Sequence, residues 1–335
     1  MPHPTITGVG LAVPERCITN ADFVTVTGLA TNDAAIQRLV GIEQRYWVEG
    51  AENHATKLGT EASLAALAMS DVQAEDLDAI FLSTASPDNP SPSTASMVHG
   101  ELGAREDCGA LDINAACAGG VYALRSSAAE MMAFGKQRTL AVGSEILSYG
   151  LDRTDRRSAI LFGDGAGAAV LEQQEGANQP YFATMTRPDI EAIYVPPAGH
   201  AKKDLEQAST IRMDGRKVAS HASYVMPTLA LDVAKQADLI TKEGGIDWDG
   251  IDYFIPHQAN LRMIEALRDG LGAPKEKCPT TVQEFGNTSS ASVFMAMARA
   301  YERGQIEGGR KRVLLTSVGA GMVGAAAIMD LNLPK

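Results

Sequence analysis

The chain has 335 residues, 45% hydrophobic and 21% charged, the composition of an ordinary globular fold. A formal net charge of −12 argues against general nucleic-acid binding, which depends on basic patches that neutralise phosphates. No apolar run reaches the ~18 residues a membrane-spanning helix needs, and the opening residues lack the basic-then-apolar order of a secretory signal, so a cytoplasmic protein with no membrane partner is expected.

In chain order, apolar periodicity predicts an amphipathic helix over Ala55–Met69 and a buried strand over Leu77–Leu82. An apolar stretch from Leu111 ends in the small-residue turn Asn114-Ala115-Ala116-Cys117-Ala118-Gly119-Gly120, with a helix starting at or just after the cysteine. A strand over Arg138–Val142 follows. The glycine cluster Phe162–Val170 lacks the spacing of a dinucleotide fingerprint and reads as a structural turn feeding an apolar strand. Residues 173–205 are polar and rich in Gln, Pro and Gly, and read as a connecting excursion. Beyond it come a helix over Met226–Lys242, a strand over Ile251–Pro256, a helix start at Gly286–Ser292 and a strand ending at Thr316 before the turn Gly319-Ala320-Gly321.

Three of these pieces recur 174 positions apart. Leu77–Leu82 matches Ile251–Pro256, Ala115–Ala118 matches Ser289–Ser292, and Arg138–Val142 matches Arg312–Thr316. One match is weak; three in one register predict an α/β protein of two pseudo-symmetric halves. The halves are expected at 1–172, carrying the cysteine, and 206–335, joined by 173–205.

The four cysteines, Cys17, Cys108, Cys117 and Cys278, are too scattered for a disulfide framework, and no CxxC or HExxH spacing marks a metal site. Cys117 differs from the rest in its place. A thiol at a helix start meets free backbone N–H groups, which stabilise a thiolate; the same segment also suits an inert core cysteine, and its residues leave both readings open. His257 ends an apolar strand, where α/β sheets place ligands. Asn287 suits a helix N-cap, yet the duplication sets its helix opposite that of Cys117, toward one shared site. The backbone of Gly319-Ala320-Gly321 is placed to donate to an oxyanion.

Together the motifs resemble the β-ketoacyl-acyl-carrier-protein synthase III family of the thiolase superfamily. The resemblance covers nearly the whole chain, through Gly8–Pro14, Gly41-Ile42, residues 111–120, Phe162–Ala168, Met213-Asp214-Gly215, Pro256-His257-Gln258-Ala259-Asn260, Gly286-Asn287-Thr288-Ser289 and Gly319-Ala320-Gly321. It implies a thiolase-like fold of five layers, αβαβα, in a homodimer. It implies an acyltransferase in fatty acid, lipid or polyketide biosynthesis, in which Cys117 takes an acyl group from a thioester. His257 and Asn287 then stabilise the enolate left when a malonyl thioester loses CO2, and the N–H groups of Cys117 and Ala320 form the second oxyanion hole. No cofactor is implied beyond acyl-coenzyme A or acyl-carrier-protein substrates.

Departures from the family pattern concern the primer. Ala35 and Leu39 stand where a Trp and an Arg grip adenine, and Ser91, Ala219 and Val318 are small where the channel is usually aromatic, while Arg156 is kept. The expected primer is larger than acetyl. An acidic carrier protein needs a local basic patch on this acidic chain, for which Arg262 is the first candidate, with Arg216, Lys217 and Arg268 behind it. Other readings are acyl transfer to an alcohol or amine without decarboxylation, the joining of two acyl chains, a non-catalytic partner subunit, or a cysteine amidase. Against the last, Ala116-Cys117-Ala118 lacks the surroundings of a papain-type nucleophile.

Overall fold

The structure, a computed structural model, describes residues 1–50, 54–195 and 210–335. Nine strands form its large sheet: β1 (His3–Ala12), β2 (Ala79–Ser83), β3 (Gly109–Ile113), β4 (Arg138–Glu145), β5 (Gly165–Gln174), β6 (Tyr181–Asp189), β7 (Tyr253–Pro256), β8 (Gly309–Gly319) and β9 (Gly321–Leu333). Their order is β7-β8-β9-β1-β5-β4-β2-β3, with β6 beside β9. β9 meets β1 at one paired position, Ile6 with Leu331, so the sheet parts into an N-terminal and a C-terminal set of strands.

Layering follows from which faces are apolar. Helix α2 (His54–Ser70) covers the outer face of the N-terminal strands, burying Leu58, Ala62 and Ala66 against Leu82, Leu140 and Val170. Helix α5 (Gly215–Gln236) covers the outer face of the C-terminal strands, with Val225, Leu229 and Val233 against Leu314, Ala326 and Ile328. Between the two sets lie α3 (Gly119–Phe134) and α7 (Ser292–Glu302), where Val121, Leu124, Phe294 and Met297 share one core with Val9, Ala169, Leu315 and Ala327. The result is the five-layered αβαβα arrangement, and α3 and α7 are buried because both strand sets cover them.

The duplication is visible in hydrogen bonds. Asp78 accepts from the Arg138 N–H at 3.0 Å and Asp252 accepts from the Arg312 N–H at 2.7 Å, each carboxylate 174 positions from its counterpart. The helix starts are offset by one residue from that register. The 3₁₀ turn Ala116–Ala118 corresponds to Ser289–Ala291, so the counterpart of Cys117 is Ser290, one position before the expected match. Ala116 and Ser289 both hold positive φ, 45° and 50°, marking the same tight entry into each helix.

Two expectations are corrected. The helix expected over Met226–Lys242 begins earlier, because Asp214 caps it by accepting from the Arg216 and Lys217 N–H groups, and Pro227 is carried inside it. The segment 173–205 is more than a connection: β6 lies within it and pairs antiparallel with β9, Ala325 opposite Thr184. Residues 196–205 of that segment lie outside the described residues. Among the described residues, no helix is long and apolar enough to cross a membrane.

Candidate active site

Cys117, His257 and Asn287 line one cavity of about 100 Å³, with Met213, Val318 and Ala320 on its walls. Each is brought there by a different piece of the fold. Cys117 sits in the 3₁₀ turn before α3, half-buried, with its carbonyl accepting from the Ser317 hydroxyl of β8 at 2.6 Å. Gly319 lies so close that a Cβ there would stand 2.6 Å from the Cys117 nitrogen and 2.7 Å from the Ala115 oxygen. Only glycine fits against this stretch of backbone.

His257 follows β7, and its N–H donates to the Thr316 carbonyl at 2.8 Å. Its Nδ1 lies 2.7 Å from the Ser292 hydroxyl. Ser292 has no other acceptor among the described residues, so it donates to Nδ1, and the proton of the neutral ring is on Nε2. Burial lowers the His257 pKa to about 4, so the ring is neutral at pH 7 and acts as a hydrogen-bond donor.

Asn287 is positioned by the glycine turn of Phe162–Ala168, which the sequence suggests is merely structural. The Asn287 N–H donates to Leu161 C=O at 2.8 Å, and the Gly163 N–H donates back to Asn287 C=O at 3.1 Å. The Asn287 Oδ1 accepts from the Ser289 N–H at 2.8 Å. The expected N-cap is not made: neither the 3₁₀ turn nor α7 has a side-chain cap, and Oδ1 instead closes a tight turn on Ser289, which leaves Nδ2–H₂ to donate.

The thiol departs from expectation. Burial pushes the Cys117 pKa up to about 12, with the Ser289 hydroxyl pulling the other way. The start of α3 does not by itself give a resting thiolate. A thiol that exchanges with a thioester, passing its proton to the departing sulfur, is the chemistry this environment suits.

A family model for 3-oxoacyl-[acyl-carrier-protein] synthase III matches residues 111–188, and the model of its C-terminal part matches residues 241–331. The β-ketoacyl-[acyl-carrier-protein] synthase III of Ruegeria pomeroyi is 35% identical over 97% of this chain and 98% of its own. This chain belongs to the β-ketoacyl-acyl-carrier-protein synthase III family. It is a condensing enzyme, a transferase of the thiolase fold. The solved synthase III of Thermus thermophilus superposes with a TM-score of 0.85 at 35% identity, covering 97% of this chain and 98% of that one. The priming β-ketosynthase of the R1128 polyketide pathway also gives 0.85, at 28% identity over 100% of this chain and 98% of that one.

The other predicted residues of this synthase III divide. Val318 and Ala320 reach the cavity, and Ala219 and Arg262 line a neighbouring cleft of about 460 Å³ that meets it at His257, Ala259 and Met263. This cleft runs between α5 and α6 (Leu261–Gly270). Ala35 and Leu39 stand on α1 (Asp33–Val40), outside both spaces, with Leu39 51% exposed. Ser91 is exposed and borders neither cavity. Within one chain it does not close the acyl pocket.

The basic residues are reordered too. Arg262 is held by Glu265 at 2.9 Å and by the Gln37 and Arg38 carbonyls of α1, Lys217 by Glu191, and Arg268 by Asp269. Arg156, at the start of α4 (Arg156–Ala159), and Arg216, at the start of α5, are exposed and make no side-chain hydrogen bond or ion pair at contact distance among the described residues, though Arg216 lies close enough to Asp214 to help lower its pKa. Sequence reasoning missed Ser292 and Ser317 as positioning groups. The signal for Ser292, the hydroxyls crowded into Ser289–Ser292, was present but did not say which hydroxyl faced which partner; Ser317, inside an apolar strand, gave none.

Proposed function

We propose that this synthase acylates Cys117 from an acyl thioester and then condenses the acyl group with a malonyl thioester, releasing CO2. The sulfur attacks the thioester carbonyl, the Cys117 and Ala320 N–H groups receive the oxyanion, and the donor thiol departs with a proton. The malonyl C–COO⁻ bond then breaks, and its electron pair becomes an enolate whose oxygen takes hydrogen bonds from His257 Nε2–H and Asn287 Nδ2–H. The enolate carbon bonds to the acyl carbon, the C–S bond breaks with its electron pair going to sulfur, and the Cys117 thiolate so released takes a proton from solvent. The observation that carries this reading is the commitment of His257 Nδ1 to Ser292 and of Asn287 Oδ1 to Ser289, which leaves two neutral donors, and no base among the described residues, in one cavity.

The 460 Å³ cleft between α5 and α6 supports a substrate larger than acetyl. A carrier protein as donor of the malonyl group accords with the exposed cations Arg156 and Arg216. A homodimer accords with the edge strand β3, which leaves Leu111 57% exposed beside unpaired backbone that a second copy can cover. Intact-protein mass after mixing with acyl thioesters, followed by release of CO2 from labelled malonyl thioester, tests the reading. One acyl mass on residue 117 and CO2 release are expected; a covalent acyl group on Cys117→Ala defeats it.

A further inference from the structure

Behind the cavity, the end of β4 carries Glu145, 0% exposed and in no ion pair among the described residues. Its Oε2 accepts from the Ala85 N–H at 3.0 Å and the Ser86 hydroxyl at 2.8 Å. Its Oε1 lies 2.6 Å from the Ser290 hydroxyl oxygen and 3.4 Å from the Ser290 nitrogen. That same Ser290 oxygen lies 3.0 Å from the Ser83 carbonyl, which can only accept. A hydroxyl has one proton to give. Were Glu145 ionised, Ser290 would face two acceptors with a single hydrogen, and one contact would oppose two lone pairs. A carboxylic acid resolves both: Glu145 donates to Ser290, and Ser290 donates to Ser83.

We infer that Glu145 is a neutral carboxylic acid and a positioning residue of the active site, its proton holding the Ser289–Ser290 turn that presents a hydroxyl to Cys117. The Ser289 hydroxyl acts on both the Cys117 thiol and the Glu145 carboxyl, lowering the pKa of each, so the chain runs from the nucleophile to the sheet. Burial with no cation favours the neutral acid, because an isolated buried carboxylate is costly. Ser83 on β2, Ala85 and Ser86 in the following loop, and Ser289 and Ser290 before α7 are its neighbours, and Cys117 is the titratable group across Ser289. A charge on Glu145 would oppose negative charge on the sulfur; the neutral acid does not.

Pseudo-symmetry explains the placement. The counterpart of Glu145 at the end of β8 is Gly319, which puts no side chain against the Cys117 and Ala118 nitrogens before α3. The carboxyl of Glu145 instead fills the corresponding place before α7, against the Ser290 nitrogen and hydroxyl.

The inference rests on Cys117 as the reactive thiol. Infrared difference spectra of wild type against Glu145→Gln at neutral pH are expected to show a protonated-carboxyl C=O band lost in the variant, and Ser290→Ala should move that band. The pH profile of iodoacetamide alkylation at Cys117 gives the second readout. Glu145→Ala should slow alkylation about tenfold, and Gln, which keeps one donor and one acceptor, should rescue the wild-type profile. No protonated band, or a midpoint in Glu145→Gln lower than wild type by about one pH unit, would mean an ionised Glu145 and overturn the inference. A Ser290→Ala variant whose band is unmoved overturns the assignment of the donor, even if Glu145→Ala does not fold. Alkylation reports on the thiol whether or not the chain condenses acyl groups, so normal alkylation with no condensation counts against the proposed function alone.

Discussion

The Ser292 hydroxyl stands 2.7 Å from His257 Nδ1, and this contact decides which face of the imidazole carries a proton. Removing it in Ser292→Ala frees the ring to place its proton on Nδ1, where it faces protein instead of the cavity. Malonyl decarboxylation is expected to fall by about 10- to 100-fold, the equivalent of one lost buried hydrogen bond of ~1–3 kcal/mol. Acylation of Cys117 should continue at its former rate. Single-turnover acylation and CO2 release, measured side by side, check the division.

Replacing the donors themselves should be harsher on the same half-reaction. His257→Ala and Asn287→Ala are each expected to lose about 10²–10³ in decarboxylation while Cys117 still takes up one acyl mass. Decarboxylation at the wild-type rate in both variants would remove them from the enolate site.

The depressed pKa of His257, about 4 against 6.5, also fixes a stability trend. The unfolded chain binds a proton near 6.5 that the folded chain refuses until about 4, so this contribution is whole above 6.5 and is lost as pH falls toward 4. Buried Asp164, raised to about 6 from 3.8, acts with opposite sign and loses its contribution as pH rises through that window. Denaturant melts of wild type and His257→Gln across this range should show a shallower acid loss in the variant.

Gly319 offers a steric test. A methyl group added there meets the backbone of Cys117 and Ala115 within 3 Å, and no flexible side chain can yield. Gly319→Ala should abolish Cys117 acylation and cost about 1–3 kcal/mol of stability by overpacking. Ala placed at Gly100, which has no neighbour within 4 Å, is the control and should leave acylation intact.

Much of this was legible in the sequence because it depends on local pattern. The apolar strands, the helix start at Cys117 and the two-half repeat come from periodicity and small-residue turns, and Asp78 and Asp252 show how deeply the repeat is kept. What was not legible depends on contacts across the chain. Whether Arg262 is free is decided by carbonyls of α1, more than two hundred residues away in sequence. Likewise the register of Ser290 against Cys117 follows from how each turn packs, and a one-residue slip leaves the sequence pattern unchanged.

Carrier docking should follow the exposed cations that no contact ion pair holds. Arg216→Glu and Arg156→Glu are expected to raise KM for malonyl-acyl-carrier protein several-fold and flatten its salt dependence, with kcat little altered. Arg262→Glu should act less on salt dependence, since its guanidinium is already held by Glu265 and α1. Equal effects from all three would place docking on α6 instead.

The primer is the remaining expectation, and the structure moves its test from Ser91 to Ala219. Ser91 is exposed and borders neither cavity, so Ser91→Phe should change chain-length preference little unless a second copy closes over it. Ala219 lines the cleft that meets the active site at His257, and a Phe there would fill space between α5 and α6. Each methylene buried in that cleft contributes about 0.8 kcal/mol, so three or four carbons shift preference by roughly two orders of magnitude. A competition between acetyl and medium-chain thioesters, scored by the mass found on Cys117, should favour the longer donor in wild type. Ala219→Phe should move the preference back toward acetyl, while the total acylation of Cys117 is kept. Acetyl winning in the wild type, with no change in Ala219→Phe, would leave the cleft without a part in choosing the primer.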